Sequence, residues 1–172
     1  MAALADPILR GTLFVFLVIC LGLTGALIES ADNTNPQVNF GIFAAVFGLV
    51  TSCFYGIAAA FIEVLAFPIV LAVLDFLNFV FLFTAPTAIA VATRTHSCSN
   101  KDYLDSNKVA QGSSQRCREA QAATAFFYFA FFVQLALLVY SVLNVVQNGA
   151  LSVPSRRRAQ PPRTGIPTMS QV

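Results

Sequence analysis

Residues 68–93 read PIVLAVLDFLNFVFLFTAPTAIAVAT, twenty-six positions with a single ionisable side chain, Asp75. The hydrocarbon core of a bilayer is about 30 Å thick, and about 20 helical residues cross it at about 1.5 Å each. Backbone groups in hydrocarbon have no water to bond, so such a stretch satisfies itself as a helix. Three more blocks of the same kind lie at about 8–28, 38–62 and 120–146. The chain is therefore expected to be all-α, a polytopic membrane protein built as a bundle of four transmembrane helices over residues 1–146. A basic, disordered tail is expected over 147–172.

Composition agrees with that class. Of 172 residues, 57% are hydrophobic and 10% charged, against about 45–50% and about 25% in a soluble domain. Seventeen Phe and no Trp give an aliphatic and Phe-rich surface. The first block is longer than the 7–15 apolar residues of a signal peptide, and Glu29-Ser30-Ala31-Asp32 supplies no cleavage site after it. It reads as a signal-anchor helix.

The first helix is expected to start near Pro7, with Arg10 at its polar margin and Gly22, Gly25 and Ala26 on a small-residue face. Helix 2 carries Gly41, Ala45, Gly48, Gly56 and Ala60 at spacings that let helices approach closely in a membrane. A short connection into Pro68 makes helices 2 and 3 an antiparallel hairpin. Pro86 predicts a kink in helix 3. The fourth helix is rich in Phe, with Gln134 near its middle reaching for another helix.

Four spans place both termini on one side. That side carries Arg10, Arg156, Arg157, Arg158 and Arg163; the other carries Arg94, Lys101, Lys108, Arg116 and Arg118. Five against five leaves the positive-inside rule silent. The compact tail cluster, unopposed by acids, suits contact with an anionic cytoplasmic leaflet. Cys98 and Cys117 suit an oxidising compartment. Both point to cytosolic termini. A bridge between these cysteines would close the third loop and stabilise it by about 3 kcal/mol; two free thiols are the alternative if that loop is cytosolic. Cys20 and Cys53 lie within helices and read as packing residues.

Asp75 falls about 9–10 Å below the membrane surface at 1.5 Å per residue. A carboxylate at that depth faces the bundle or water. Asn78 shares its face, Tyr55 falls at a similar depth on helix 2, and the long side chain of Arg10 reaches toward them. Asp75, Asn78, Tyr55 and Arg10 thus form a candidate intramembrane polar cluster. It is either a headgroup- or proton-sensitive site or a hydrogen-bond network holding helices together. No further deep acid or base continues a pathway across the bilayer. His96 near Cys98 falls short of the four ligands of a zinc site. With one His and no paired carboxylates, the inventory predicts no enzyme and no metal, and no nucleic-acid partner is expected.

Several stretches together carry a resemblance: Ala3-Leu-Ala-Asp-Pro-Ile-Leu-Arg10, Phe61-Ile-Glu63, Leu74-Asp-Phe-Leu-Asn-Phe-Val-Phe81, His96-Ser-Cys98, Asp105-Ser-Asn-Lys108, Gln111-Gly-Ser113, Arg116-Cys-Arg118, Ala120-Gln-Ala122 and Pro167-Thr-Met-Ser-Gln-Val172. They resemble the fungal non-classical export protein 2 family, a branch of the MARVEL-domain tetraspan proteins. Pro86 departs from the pattern, where Gly is expected. The resemblance implies a four-helix bundle with cytosolic termini, resident in furrow-like plasma-membrane domains organised by eisosomes. It implies a non-enzymatic membrane organiser taking part in sphingolipid-responsive signalling. Its partners would be sphingolipid and anionic inner-leaflet lipids, eisosome proteins and further copies of itself. A small channel, transporter or factor in non-classical export is the rival reading.

Overall fold

The computed structural model describes residues 2–62, 65, 67–94 and 96–149. Its elements are α1 (Ala2–Glu29), α2 (Pro36–Gly48), a π-helical segment (Leu49–Tyr55), α3 (Gly56–Phe61), α4 (Pro68–Thr93), α5 (Lys101–Ser106) and α6 (Ser114–Asn148). The π segment joins α2 and α3 into one rod, so among the described residues four helices are long and apolar enough to cross a membrane: Ala5–Glu29, Pro36–Ala59, Pro68–Thr93 and Ser114–Gln147. The chain is a multi-pass membrane protein.

Contacts close a ring. α6 packs between α4 and α1, and α2 packs between α1 and α4. The helix 2–helix 3 hairpin is one side of that ring. Leu13, Leu17, Cys20, Ala44, Leu82, Ala85, Ile89, Phe127 and Leu137 fill the middle. Phe81 stands edge-on to Phe43 and Phe47 at 5.4 and 5.1 Å between ring centres. Phe131 bridges Phe79 and Phe83 on α4. Such aromatic pairs add about 0.5–1.5 kcal/mol each beyond area burial, which suits helices that gain nothing from leaving lipid.

The glycines of helix 2 divide from those of helix 1. A Cβ on Gly41 would lie 3.2 Å from Thr24 Cγ2, and one on Gly48 would lie 2.8 Å from Leu17 Cδ1. Both are points of close approach between helices. Gly22 and Gly25 have nothing within 4 Å of a built Cβ, so at these two positions helix 1 makes no close approach to another helix among the described residues.

Two helix starts differ from the sequence reading. α1 begins at Ala2 and runs through Pro7; a proline this near the start removes only one early bond of the ladder. α6 begins at Ser114, because the Ser113 hydroxyl accepts from the Arg116 backbone N–H at 3.4 Å. Hydropathy marks where a helix enters lipid; the cap marks where it starts. α4 is continuous across Pro86.

At the end opposite the termini, the loops form a lid. Cys98 is joined to Cys117, with Cα atoms 5.7 Å apart. Arg116 is buried, and its guanidinium donates to Val109 O at 3.1 Å, Leu27 O at 2.9 Å and Ser30 Oγ at 2.5 Å. It thereby caps the carbonyl end of α1, where a cation is favoured. Gln111 binds the first loop through Asp32 N at 3.0 Å and Asn33 O at 3.3 Å.

Candidate functional site

The polar cluster is assembled from four helices. α1 places Asp6 and Arg10 one turn apart, and Arg10 Nε donates to the Asp6 carboxylate at 3.1 and 3.0 Å. Such i,i+4 pairs face one another on a helix surface. The rest of the guanidinium turns inward, leaving Arg10 only 1% exposed. Its space comes from Gly56: a Cβ there would lie 2.6 Å from Arg10 Cζ and 2.8 Å from Nε.

The π segment supplies the next contacts. Its ladder closes at i+5 and so shifts backbone acceptors out of α register. Arg10 Nη1 donates to Ser52 O at 2.7 Å and lies 3.2 Å from Ser52 Oγ. The Cys53 thiol donates to Arg10 O at 3.7 Å.

α4 brings Asp75, 1% exposed. Arg10 Nη1 lies 3.4 Å from Oδ1 and Nη2 lies 3.3 Å from Oδ2. α6 completes the shell. Gln134 Nε2 donates to Asp75 Oδ1 and to Asp75 O, each at 3.1 Å, and Ser141 Oγ donates to Oδ2 at 2.5 Å. Ser52 Oγ stands 3.2 Å from Asp75 Oδ1 and 3.1 Å from Gln134 Oε1, with one proton for the two. Each of these partners offers the carboxylate a proton, so the site is shaped for an acceptor with two oxygens.

The sequence-predicted residues separate here. Arg10 and Asp75 meet. Asn78 lies one turn further along α4; its Nδ2 donates to Thr51 Oγ1 at 2.7 Å and Leu74 O at 2.9 Å, and its buried Oδ1 has no hydrogen-bond partner. Tyr55 is outside the cluster: its hydroxyl donates to Leu65 O at 2.9 Å. The π turn directs Tyr55 toward the connection before α4. Arg156, Arg157, Arg158 and Arg163 lie outside the described residues. The sequence reading missed Ser52 and Ser141, because a serine in a span is unremarkable until a partner is seen. Gln134 carried the stronger signal, a lone amide in a long apolar run.

Chemically, this is a buried ion pair held from four helices, with Asp6 as a second counter-charge. Among the described residues no group of three metal-ligating side chains is gathered. Polar cavities lie at the lid. One of about 780 Å³ is bordered by Asp32, Asn33, Asp105, Lys108 and Gln111. Another, of about 380 Å³, lies beside Arg94 and Asn107. At that lid Tyr103 donates to Thr93 O. Partial burial pushes its hydroxyl pKa up, opposed by the nearby Arg94.

Comparison with known proteins agrees with this architecture. Residues 3–140 match the family model described as a membrane-associating domain, MARVEL. Non-classical export protein 2 of Saccharomyces cerevisiae is 50% identical over 173 residues, covering 100% of both chains. Non-classical export protein 102 of Candida albicans is 56% identical, also covering 100% of both. A Schizosaccharomyces pombe homolog of non-classical export protein 2 is 32% identical over 72% of this chain and 69% of its own. No solved structure matches the chain.

Proposed function

This chain belongs to the MARVEL family of membrane-associating domains, and from that premise we propose that it is a non-enzymatic organiser of the fungal plasma membrane. In this reading it resides in eisosome-associated furrow domains with both termini in the cytosol. It self-associates laterally, and its tail arginines Arg156, Arg157, Arg158 and Arg163 rest on anionic inner-leaflet lipids. The observation that carries the proposal is how polarity is distributed. Arg10, Asp75, Ser52, Gln134 and Ser141 are turned onto one another in the interior, while Phe14, Phe43, Phe54, Phe76, Phe83, Phe129 and Phe132 stand on the outside.

A body built this way meets its surroundings through lateral apolar contact with lipid and with other proteins. Lipid composition then acts by favouring one assembly state over another, to the extent that its affinity for the two differs. Sphingolipid is the lipid class suggested by the family resemblance, and eisosome proteins are the suggested neighbours. No cofactor or nucleic acid takes part.

The test is to image the fluorescently tagged protein in living fungal cells before and after sphingolipid synthesis is blocked. Stable plasma-membrane patches that redistribute on the block are expected. A uniform or internal distribution, or patches indifferent to the block, would refute the proposal. The names of the relatives favour a second reading, a factor in non-classical export. Solute flux through liposomes holding the purified protein would support that reading; concentration-dependent clustering without flux supports the organiser.

A further inference from the structure

We propose that the 380 Å³ cavity between the start of α2 and the end of α4 binds the anionic phosphodiester headgroup of a membrane lipid, in the leaflet opposite the termini. Its wall contains Arg94 and Lys108 and no carboxylate. Neither side chain forms an ion pair or hydrogen bond among the described residues. Two unpaired cations on one acid-free concavity invite an anion. The adjoining cavity shares Asn35, Gln37, Ser106, Asn107 and Lys108 with it and adds Asp32 and Asp105, so the acid-free part is the end that holds Arg94.

The backbone points the same way. The cavity opens at the N-terminus of α2, where Asn35 Oδ1 accepts from Gln37 N at 3.0 Å and the helix dipole is positive. The C-terminus of α4 would oppose an anion, but its carbonyls are engaged. Asn107 Nδ2 donates to Ala92 O at 2.9 Å and Tyr103 donates to Thr93 O. Arg94 itself holds φ +49°, a left-handed cap position where glycine is usual. A large charged residue kept in a strained conformation points to use of its side chain.

The choice of a lipid over a free anion follows from the cavity's other edge. Val91 borders it and is 72% exposed, on a helix that crosses the bilayer. A phosphodiester set between Arg94 and Lys108 would leave its acyl chains beside Val91 and the outer surface of α4. Asn35, Gln37 and Asn107 supply polar atoms around the headgroup. The inference is independent of the organiser reading, since it needs only the spanning bundle and this cavity.

The test uses the purified full chain in nanodiscs of phosphatidylcholine with a minor fraction of phosphatidylglycerol. Bound lipid is counted by native mass spectrometry after release into detergent. Wild-type protein is expected to retain phosphatidylglycerol over phosphatidylcholine. Arg94→Gly and Lys108→Gln are each expected to weaken retention about fivefold, and together about 25-fold, from the value of one basic side chain at an anionic surface. Arg94→Gly should meanwhile keep or raise the thermal midpoint, because glycine relieves the positive φ; a loss of lipid then cannot be a loss of fold. Lys101→Gln, at a cation that begins α5 outside the cavity wall, should leave retention unchanged. Equal retention in all variants, or equal loss in Lys101→Gln, would overturn the site. Thermal stabilisation by millimolar inorganic phosphate matching that by phosphatidylglycerol would overturn the assignment to a lipid.

Discussion

Replacing Asp75 by asparagine tests whether the cluster acts as an ion pair or as ordinary hydrogen bonds. The shape is nearly conserved, but one oxygen becomes an NH2 group. Oδ1 faces Arg10, Gln134 and Ser52, whereas Oδ2 faces Arg10 and Ser141. The amide nitrogen therefore settles on the Oδ2 side, where Ser141 can turn and accept. Arg10 Nη2 cannot, and it is left against a donor. Breaking a buried pair by removing one partner costs about 3–5 kcal/mol. Asp6 still holds Arg10 Nε at 3.0 Å, so the expected loss is at the lower end, about 3 kcal/mol. Interhelical hydrogen bonds in membranes average only about 0.6 kcal/mol, so the two accounts differ measurably. Cys20 and Cys53 are buried and free, which makes a thiol-reactive dye an unfolding reporter in detergent. Arg10→Gln combined with Asp75→Asn should recover about 2 kcal/mol relative to the sum of the single changes, within the range of coupled neighbours. A loss below about 1 kcal/mol for Asp75→Asn, or strict additivity in the double variant, would refute the reasoning.

Three further outcomes are expected in the same assay. Gly56→Ala should lose about 1–3 kcal/mol by overpacking the guanidinium of Arg10, whereas Gly22→Ala, facing open space, should stay within about 0.5 kcal/mol or gain slightly. Changing Cys98 and Cys117 together to serine, which adds no thiol to the dye readout, should lower stability by about 3 kcal/mol; an unchanged midpoint would show that the loop is held by its other contacts. Arg116→Met should destabilise by about 2–3 kcal/mol, because Val109 O and Leu27 O lose charged donors in a buried setting. Protease sensitivity of the first and third loops should rise with it, and unaltered cleavage would count against Arg116 as the tie between them.

Much of the fold was written in hydropathy. The four apolar blocks, the hairpin before Pro68 and the inward demand of Asp75 follow from what hydrocarbon does to charges and unpaired backbone. The helix starts were less legible, since the cap at Ser113 lies outside the apolar run that marks the span. The site was partly legible. Asp75 and Arg10 announced themselves as charges in or near lipid, and Gln134 as an isolated amide. Ser52 and Ser141 gave no such signal, because a hydroxyl in a helix can bond its own backbone and needs no distant partner.

The apolar blocks alone make this chain a bundle of four membrane helices with a charged residue that must find company. Which company it finds is settled by the packing of those helices. A π segment that no periodicity announces turns Ser52 toward Arg10 and Tyr55 away, and it sets Gly56 where the guanidinium needs room. Burial propensity is a property of one residue at one depth and is read locally. Partner choice depends on the rotation of four helices about their axes, which is fixed only when their side chains interlock.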